Sequence, residues 1–165
     1  MLDKQQTIHH LSPNWRLFFL VSGIACFLIP IFPLVVYKNA TSSLWGIVCL
    51  LGFFFGLGAI SLYEAAFNRI ITSPAGIEYH CSPYRIRTVW VNTVRIEANP
   101  YGVINLVLRD PALSGFPLFS WYFKVFGYDR LIQISPYMAN GDASPLIVEL
   151  KRFAPHLFEP TQDGR

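Results

Sequence analysis

Two stretches of this chain carry no charge. Residues 17–37 and 44–63, 21 and 20 residues long, contain no Asp, Glu, Lys or Arg, so all 23 charged residues lie elsewhere. A helix rises about 1.5 Å per residue, which gives each stretch a length of roughly 30 Å, the thickness of a bilayer's hydrocarbon core. Trp15 and Tyr37 bracket the first stretch and Trp45 and Tyr63 the second, where amphipathic rings settle at headgroup level. The rest of a 165-residue chain is too short to wrap two all-apolar helices of this length in a soluble core. Composition agrees, at 53% hydrophobic and 14% charged residues, against about 25% charged in an ordinary soluble domain. A cleaved signal would have an apolar region of only about 7–15 residues. No small-x-small site follows the first stretch, because Lys38 sits three positions before any cut after Ala40.

Only residues 38–43 join the two stretches, so the expectation is a two-helix transmembrane hairpin over 17–63 with both chain ends on one side. Lys4, Arg16 and Arg69 flank that shared side against Lys38 in the loop, which places both termini in the cytoplasm. In lipid, helices meet where small side chains admit close approach. Gly52 and Gly56 form a GxxxG pair in the second span, and Ser22, Ala25 and Cys26 offer a small-residue face in the first. Hairpin closure is the first reading of Gly52 and Gly56, and dimerisation competes with it. Pro30 and Pro33 predict a kink in the outer third of the first span. Neither span carries an ionisable residue, which disfavours transport.

From Asn68 onward the apolar pattern becomes interrupted, with turn residues every five to ten positions. Strands are predicted at 69–72, 77–81, 84–89, 93–98, 103–108, 117–123 and 130–134. In the third, Arg85 and Arg87 share one face; in the fourth, Val94, Ile96 and Ala98 alternate with Thr93, Arg95 and Glu97. Asn99-Pro100-Tyr101-Gly102 reads as a turn. Ser144 and Pro145 then open an amphipathic helix with Leu146, Ile147, Leu150, Phe153 and Ala154 on one face, stopped by Pro155. Residues 1–16 and 156–165 read as tails.

Gly76-Ile77-Glu78-Tyr79 opening a strand, Trp90-Val91-Asn92-Thr93-Val94 before the fourth strand, and a last helix ending Phe153-Ala154-Pro155 resemble the bacterial pleckstrin-homology-like (PH-like) domains of small membrane proteins. The resemblance covers residues 68–155, and many members of that family carry one or two spanning helices ahead of the domain. It implies an α+β fold: about seven antiparallel strands in a bent sheet or partly open barrel, capped by the carboxy-terminal helix. It supplies no active site. Eukaryotic relatives that bind phosphoinositides crowd basic residues into the first hairpin loop; here that loop, Thr72-Ser73-Pro74-Ala75-Gly76, has no cation.

Chemistry-bearing patterns are sparse. Cys26, Cys49 and Cys81 are odd in number and lack paired spacing, so they read as small buried side chains, with no metal site or disulfide framework. His80 and Cys81 are neighbours on a strand and so point to opposite faces. His9 and His10 read as part of a solvated tail. The acids Glu78, Glu97, Asp110, Asp129, Asp142 and Glu149 are scattered, and no phosphate loop, HExxH or GxSxG occurs. The chain therefore reads as a non-enzyme without a cofactor. Residues 67–165 hold 10 basic and 8 acidic side chains, which is no nucleic-acid footprint.

Two features suggest a surface. Arg85 and Arg87 project together, able to meet lipid phosphates, although a solvated face balanced by Glu78 or Glu97 is the favoured reading. Seven of the thirteen residues of 116–128 are aromatic, among them Phe119, Trp121, Tyr122 and Phe126. A domain this small cannot bury them all, so they either close the open end of the sheet or face a membrane or partner. The expectation is a membrane-anchored PH-like module presenting a cytoplasmic surface to a protein partner, to itself or to lipid. The alternative is an enzyme or transport accessory acting on a membrane-borne substrate.

Overall fold

The computed structural model describes residues 6–31, 44–81, 84–115, 124–125 and 127–159. The chain divides into two compact units: Met1–Ser12 together with Asn68–Arg165, and Pro13–Phe67. The second is thus inserted in the sequence of the first.

Among the described residues the inserted unit holds helices α1 (Pro13–Leu28) and α2 (Leu44–Phe67). Pro13 occupies the first helical position, where its missing N–H costs nothing. The helix ends at Leu28, two residues before Pro30, as the restriction on residues preceding proline requires. The chain therefore breaks where a kink was predicted at Pro30; Pro33 and the loop 38–43 lie outside the described residues. Within α2, Gly46–Phe67 has a mean hydropathy of 2.1 and is almost wholly unburied in the molecule, long and apolar enough to cross a membrane.

The two helices run antiparallel and touch through glycine. A methyl group on Gly23 would meet Leu62 at 2.9 Å and one on Gly58 would meet Phe27 at 2.8 Å, while the Phe27 and Phe55 rings lie 5.2 Å apart. Gly52 and Gly56, expected at the closure, make no such contact among the described residues: a methyl group on either would find none of their atoms within 4 Å. The reason is angular. Gly58 stands two residues from Gly56, about 200° around the helix, so both cannot face α1. Cys49, expected to be buried, is exposed for the same reason.

The other unit holds two antiparallel sheets and one long helix. Strands β1 (Thr7–His10), β2 (Arg69–Ser73), β3 (Gly76–Cys81), β4 (Tyr84–Thr88) and β7 (Leu113–Gly115) form a five-stranded sheet in that order. β5 (Thr93–Ala98), β6 (Ile104–Leu108) and β8 (Leu131–Gln133) form a three-stranded one. Among the described residues neither sheet closes into a barrel, and two sheets stand where one bent sheet or partly open barrel was expected. The core is Ile70, Ile77, Ile86, Leu106, Ile132 and Ile134, with Leu146 and Leu150 from helix α3 (Pro145–Phe153), all 0–1% exposed. Each such burial contributes about 1.5–3 kcal/mol. Ser144 caps α3 through its Oγ, which accepts from the Ile147 N–H at 3.3 Å.

The amino-terminal residues are not a tail. Thr7–His10 pairs with β2 across the whole insertion, His10 opposite Arg69 and Thr7 opposite Thr72. The fourth predicted strand also differs. A register shift between Thr93 and Arg95 turns Thr93 inward and leaves Val94 exposed, because a bulge inverts the alternation after it. The predicted strand 117–123 lies outside the described residues.

Candidate functional site

In β2, β3 and β4 the residues Ile70, Thr72, Ile77, Tyr79 and Ile86 point into the core. Strand alternation sends Arg69, Ile71, Glu78, His80, Arg85 and Arg87 to the outer face. Register then sorts that face into rows. One runs His10–Arg69–His80–Arg85–Ser114, each residue directly opposite the next on the neighbouring strand. The row beside it runs Ile8–Ile71–Glu78–Arg87. Three guanidiniums and two imidazoles thus share a face with the single carboxylate of Glu78.

Glu78 ties part of this set together. Its Oε1 accepts from His80 Nε2 at 2.8 Å and lies 3.4 Å from Arg85 Nη1. A carboxylate only accepts, so Nε2 of His80 carries the proton. Burial pushes the His80 imidazole below its ordinary value; the Glu78 hydrogen bond opposes this, and the charges of Arg85 and Arg69 add to it. His80 is accordingly neutral near pH 7, held so first by burial and then by the neighbouring guanidiniums. At the centre of the row, Arg69 has its Nε buried without a hydrogen-bond partner among the described residues. Such a donor forfeits water and gains nothing in exchange. Arg87 stands exposed at the mouth of an open groove of about 550 Å³, lined also by Glu78, Ser73, Thr88 and Asn92.

Of the residues singled out in the sequence, Arg85 and Arg87 are where strand alternation put them, and Glu78 is the acid that balances Arg85. Glu97 is engaged elsewhere, with Arg95 Nε at 2.9 Å. His10 was misread as tail because nothing near it in sequence announces a strand whose partner begins nearly sixty residues later. Arg69 and His80 were missed because they become members of a row only once the register of three strand pairs is known. Phe119, Trp121, Tyr122 and Phe126 lie outside the described residues; Tyr128, at the end of that segment, is exposed.

A second polar cluster faces inward. His9 Nε2 lies 2.9 Å from Thr72 Oγ1 and 3.1 Å from Glu149 Oε2, and the Thr72 hydroxyl donates to the same Glu149 oxygen. Burial pushes the Glu149 carboxyl up, but the hydrogen bonds from Thr7, Thr72 and His9, with the His9 charge, outweigh it and hold the group below its ordinary value. A hydroxyl between an imidazole and a carboxylate is the makeup of a nucleophilic site. Here, however, Thr72 has no exposed surface and His9 only 7%. The cluster fastens β1 and β2 to α3.

Cys81 and His80 face opposite ways: Cys81 accepts from Asn68 Nδ2 at 3.7 Å, and Asn68 accepts from the Tyr137 hydroxyl. Among the described residues no three His, Cys, Asp or Glu side chains are grouped to hold a metal ion. Trp90, from the motif that carried the family resemblance, donates from Nε1 to Ser73 O at 2.8 Å and stacks on Phe153 at 5.7 Å, joining the first hairpin to α3. Comparison of the chain with family models, curated proteins and solved structures found no match.

Proposed function

We propose that this chain is a membrane-anchored, non-enzymatic PH-like module in which a two-span helical hairpin fixes a small sheet domain against the cytoplasmic leaflet and leaves the outer face of the five-stranded sheet for a binding partner. The pairing of β1 with β2 carries the reading. Residues on either side of the apolar insertion belong to one sheet, so the chain must leave and return on the same side of any membrane it enters. The excess of Lys and Arg on that side supports the cytoplasm. Confinement at a surface raises effective concentration, so a weak interaction suffices. The strand-rich order followed by a capped carboxy-terminal helix supports the PH-like assignment.

The anchor is tested by alkaline carbonate extraction of membranes holding the chain, and its orientation by labelling single cysteines placed at residues 40 and 101 in a variant whose three native cysteines are Ser. Retention in the pellet is expected, with residue 101 labelled only after the cytoplasmic side is opened and residue 40 labelled from outside. Release into the supernatant would sink the anchor, and the reverse labelling would invert the orientation. A second reading, an accessory to an enzyme or transporter handling a membrane-borne substrate, draws on the open groove beside Arg87 and Glu78.

A further inference from the structure

The outer-face row alternates imidazoles with guanidiniums and holds no carboxylate. Like charges directly opposite destabilise a strand pair, and the neutral His80 keeps Arg69 and Arg85 from facing each other. Here Arg69 has His10 on one side and His80 on the other, and Arg85 follows His80. Glu78 lies off the row and engages only its far half, His80 and Arg85. Nothing acidic stands opposite Arg69, and its buried Nε has no acceptor among the described residues. Arg69 and Arg85, with His10 beside Arg69, therefore gather on one strip around a neutral His80 whose Nε2–H is taken by Glu78, and the least satisfied of them, Arg69, is in the half that Glu78 does not reach.

We propose that the strip His10–Arg69–His80–Arg85, with Arg87 beside it, binds phosphate, and that the phosphate is that of an anionic phospholipid headgroup. The guanidinium fork suits the purpose, because it presents parallel donors at the spacing of phosphate oxygens. Strands in a sheet lie about 4.8 Å apart, so a phosphate seated over Arg69 is within reach of the His10 imidazole, while the Nε2–H of His80 already serves Glu78. The chain itself argues for a lipid source. Arg69 is two residues past Phe67, the last residue of α2, and His10 is three residues before Pro13, the first of α1. Two residues of extended chain reach no more than about 7 Å, so the strip is tethered where the apolar helices end. This assignment rests on the anchored reading above and names the partner class that reading leaves open.

The test uses the full chain in an uncharged maltoside detergent, with binding read from tryptophan fluorescence and calorimetry. The probes are dihexanoyl phosphatidylglycerol, dihexanoyl phosphatidic acid, dihexanoyl phosphatidylcholine, inorganic phosphate and a poly-glutamate peptide. The two anionic lipids are expected to bind at least about ten-fold more tightly than phosphatidylcholine, a difference of about 1.4 kcal/mol. That affinity is expected to weaken with added salt as the charges are screened. Arg69→Gln should remove the preference, and Arg87→Gln, at an exposed position, should weaken it while leaving the thermal melt unchanged. Equal affinity for all lipids, or full affinity in both variants, overturns the proposal. Inorganic phosphate binding as tightly as the anionic lipids overturns the lipid source, and preference for the peptide overturns the phosphate assignment. Release of the chain by carbonate with the lipid preference intact would fault the anchor and not the strip.

Discussion

At the scale of single residues, two polar positions bear on how this fold responds to acid. Glu149 is held below its ordinary value of 4.5, so the unfolded chain takes up a proton there before the folded one does. The stability it contributes is complete above that value and is lost as pH falls through the lower folded one. His80 acts in the same direction at higher pH. Its folded value is below 6.5, so on acidification the unfolded imidazole is protonated first and stability starts to decline there. Chemical denaturation between pH 8 and pH 4 should show a loss beginning near pH 6.5 and a further loss below pH 4.5. His80→Gln should erase the upper part and Glu149→Gln the lower; a flat profile would contradict both assignments. His9→Ala removes a buried donor to a charged acceptor and should cost about 1.5–3 kcal/mol, measured as a shift in the denaturation midpoint. Gly76 is also constrained, because a methyl group there would run into the Thr88 carbonyl. Gly76→Ala forces β3 and β4 apart and should destabilise by about 1–3 kcal/mol, with the same readout.

At the scale of elements, sequence patterning shows best where a strand or helix carries its own evidence. The strands beginning at Arg69, Gly76 and Tyr84 and helix α3 have apolar residues at their natural period and turn or capping residues at their ends, so their bounds were readable within one or two positions. β1 has none of this: Thr7-Ile8-His9-His10 offers one strongly apolar residue, and its strand state comes from β2, which supplies the backbone partners, and from Thr72 and Glu149, which receive His9. The three-residue β7 is likewise held by β4. The cationic row was half legible for the same reason, since Arg85 and Arg87 are linked by period two along one strand while Arg69 and His10 are linked only by cross-strand register. The helix pair gives a further case. GxxxG drew the eye to Gly52 and Gly56, yet a motif cannot say which side of a helix meets its neighbour, and α1 packs on Gly58. Gly58→Leu and Gly23→Leu should therefore each open the helix pair, at about 1–3 kcal/mol of overpacking, whereas Gly52→Leu should not. Crosslinking yield between cysteines at 27 and 55 in detergent measures this, and equal loss in all three variants would count against the observed interface.

At the scale of the molecule, the decisive relation is that one compact unit is interrupted by another. The strand before the apolar insertion and the strand after it are neighbours, with His10 opposite Arg69. A strand pair of this kind is ordinarily joined by a loop of about 2–5 residues, and here 58 residues stand between the two. Closing so long a connection costs chain entropy that a short turn would not. The insertion should therefore be dispensable to the sheet if the residues flanking it are kept. Leu11 is buried, the Ser12 N–H donates to Pro136 O at 2.8 Å, and Asn68 accepts from the Tyr137 hydroxyl, so the junctions belong at Ser12 and Asn68. Replacing Pro13–Phe67 with a Gly/Ser linker of about six residues, long enough to turn between adjacent strands, should yield a domain that stays dissolved without detergent and melts cooperatively. Its β1 amides should be protected from hydrogen exchange to the same degree as those of β2. If β1 exchanges freely while β2 and β3 remain protected, the amino-terminal strand depends on the helices for its place, and the two units fold as one. If β1 is protected, the sheet is self-sufficient and takes none of its strand pairing from the apolar helices.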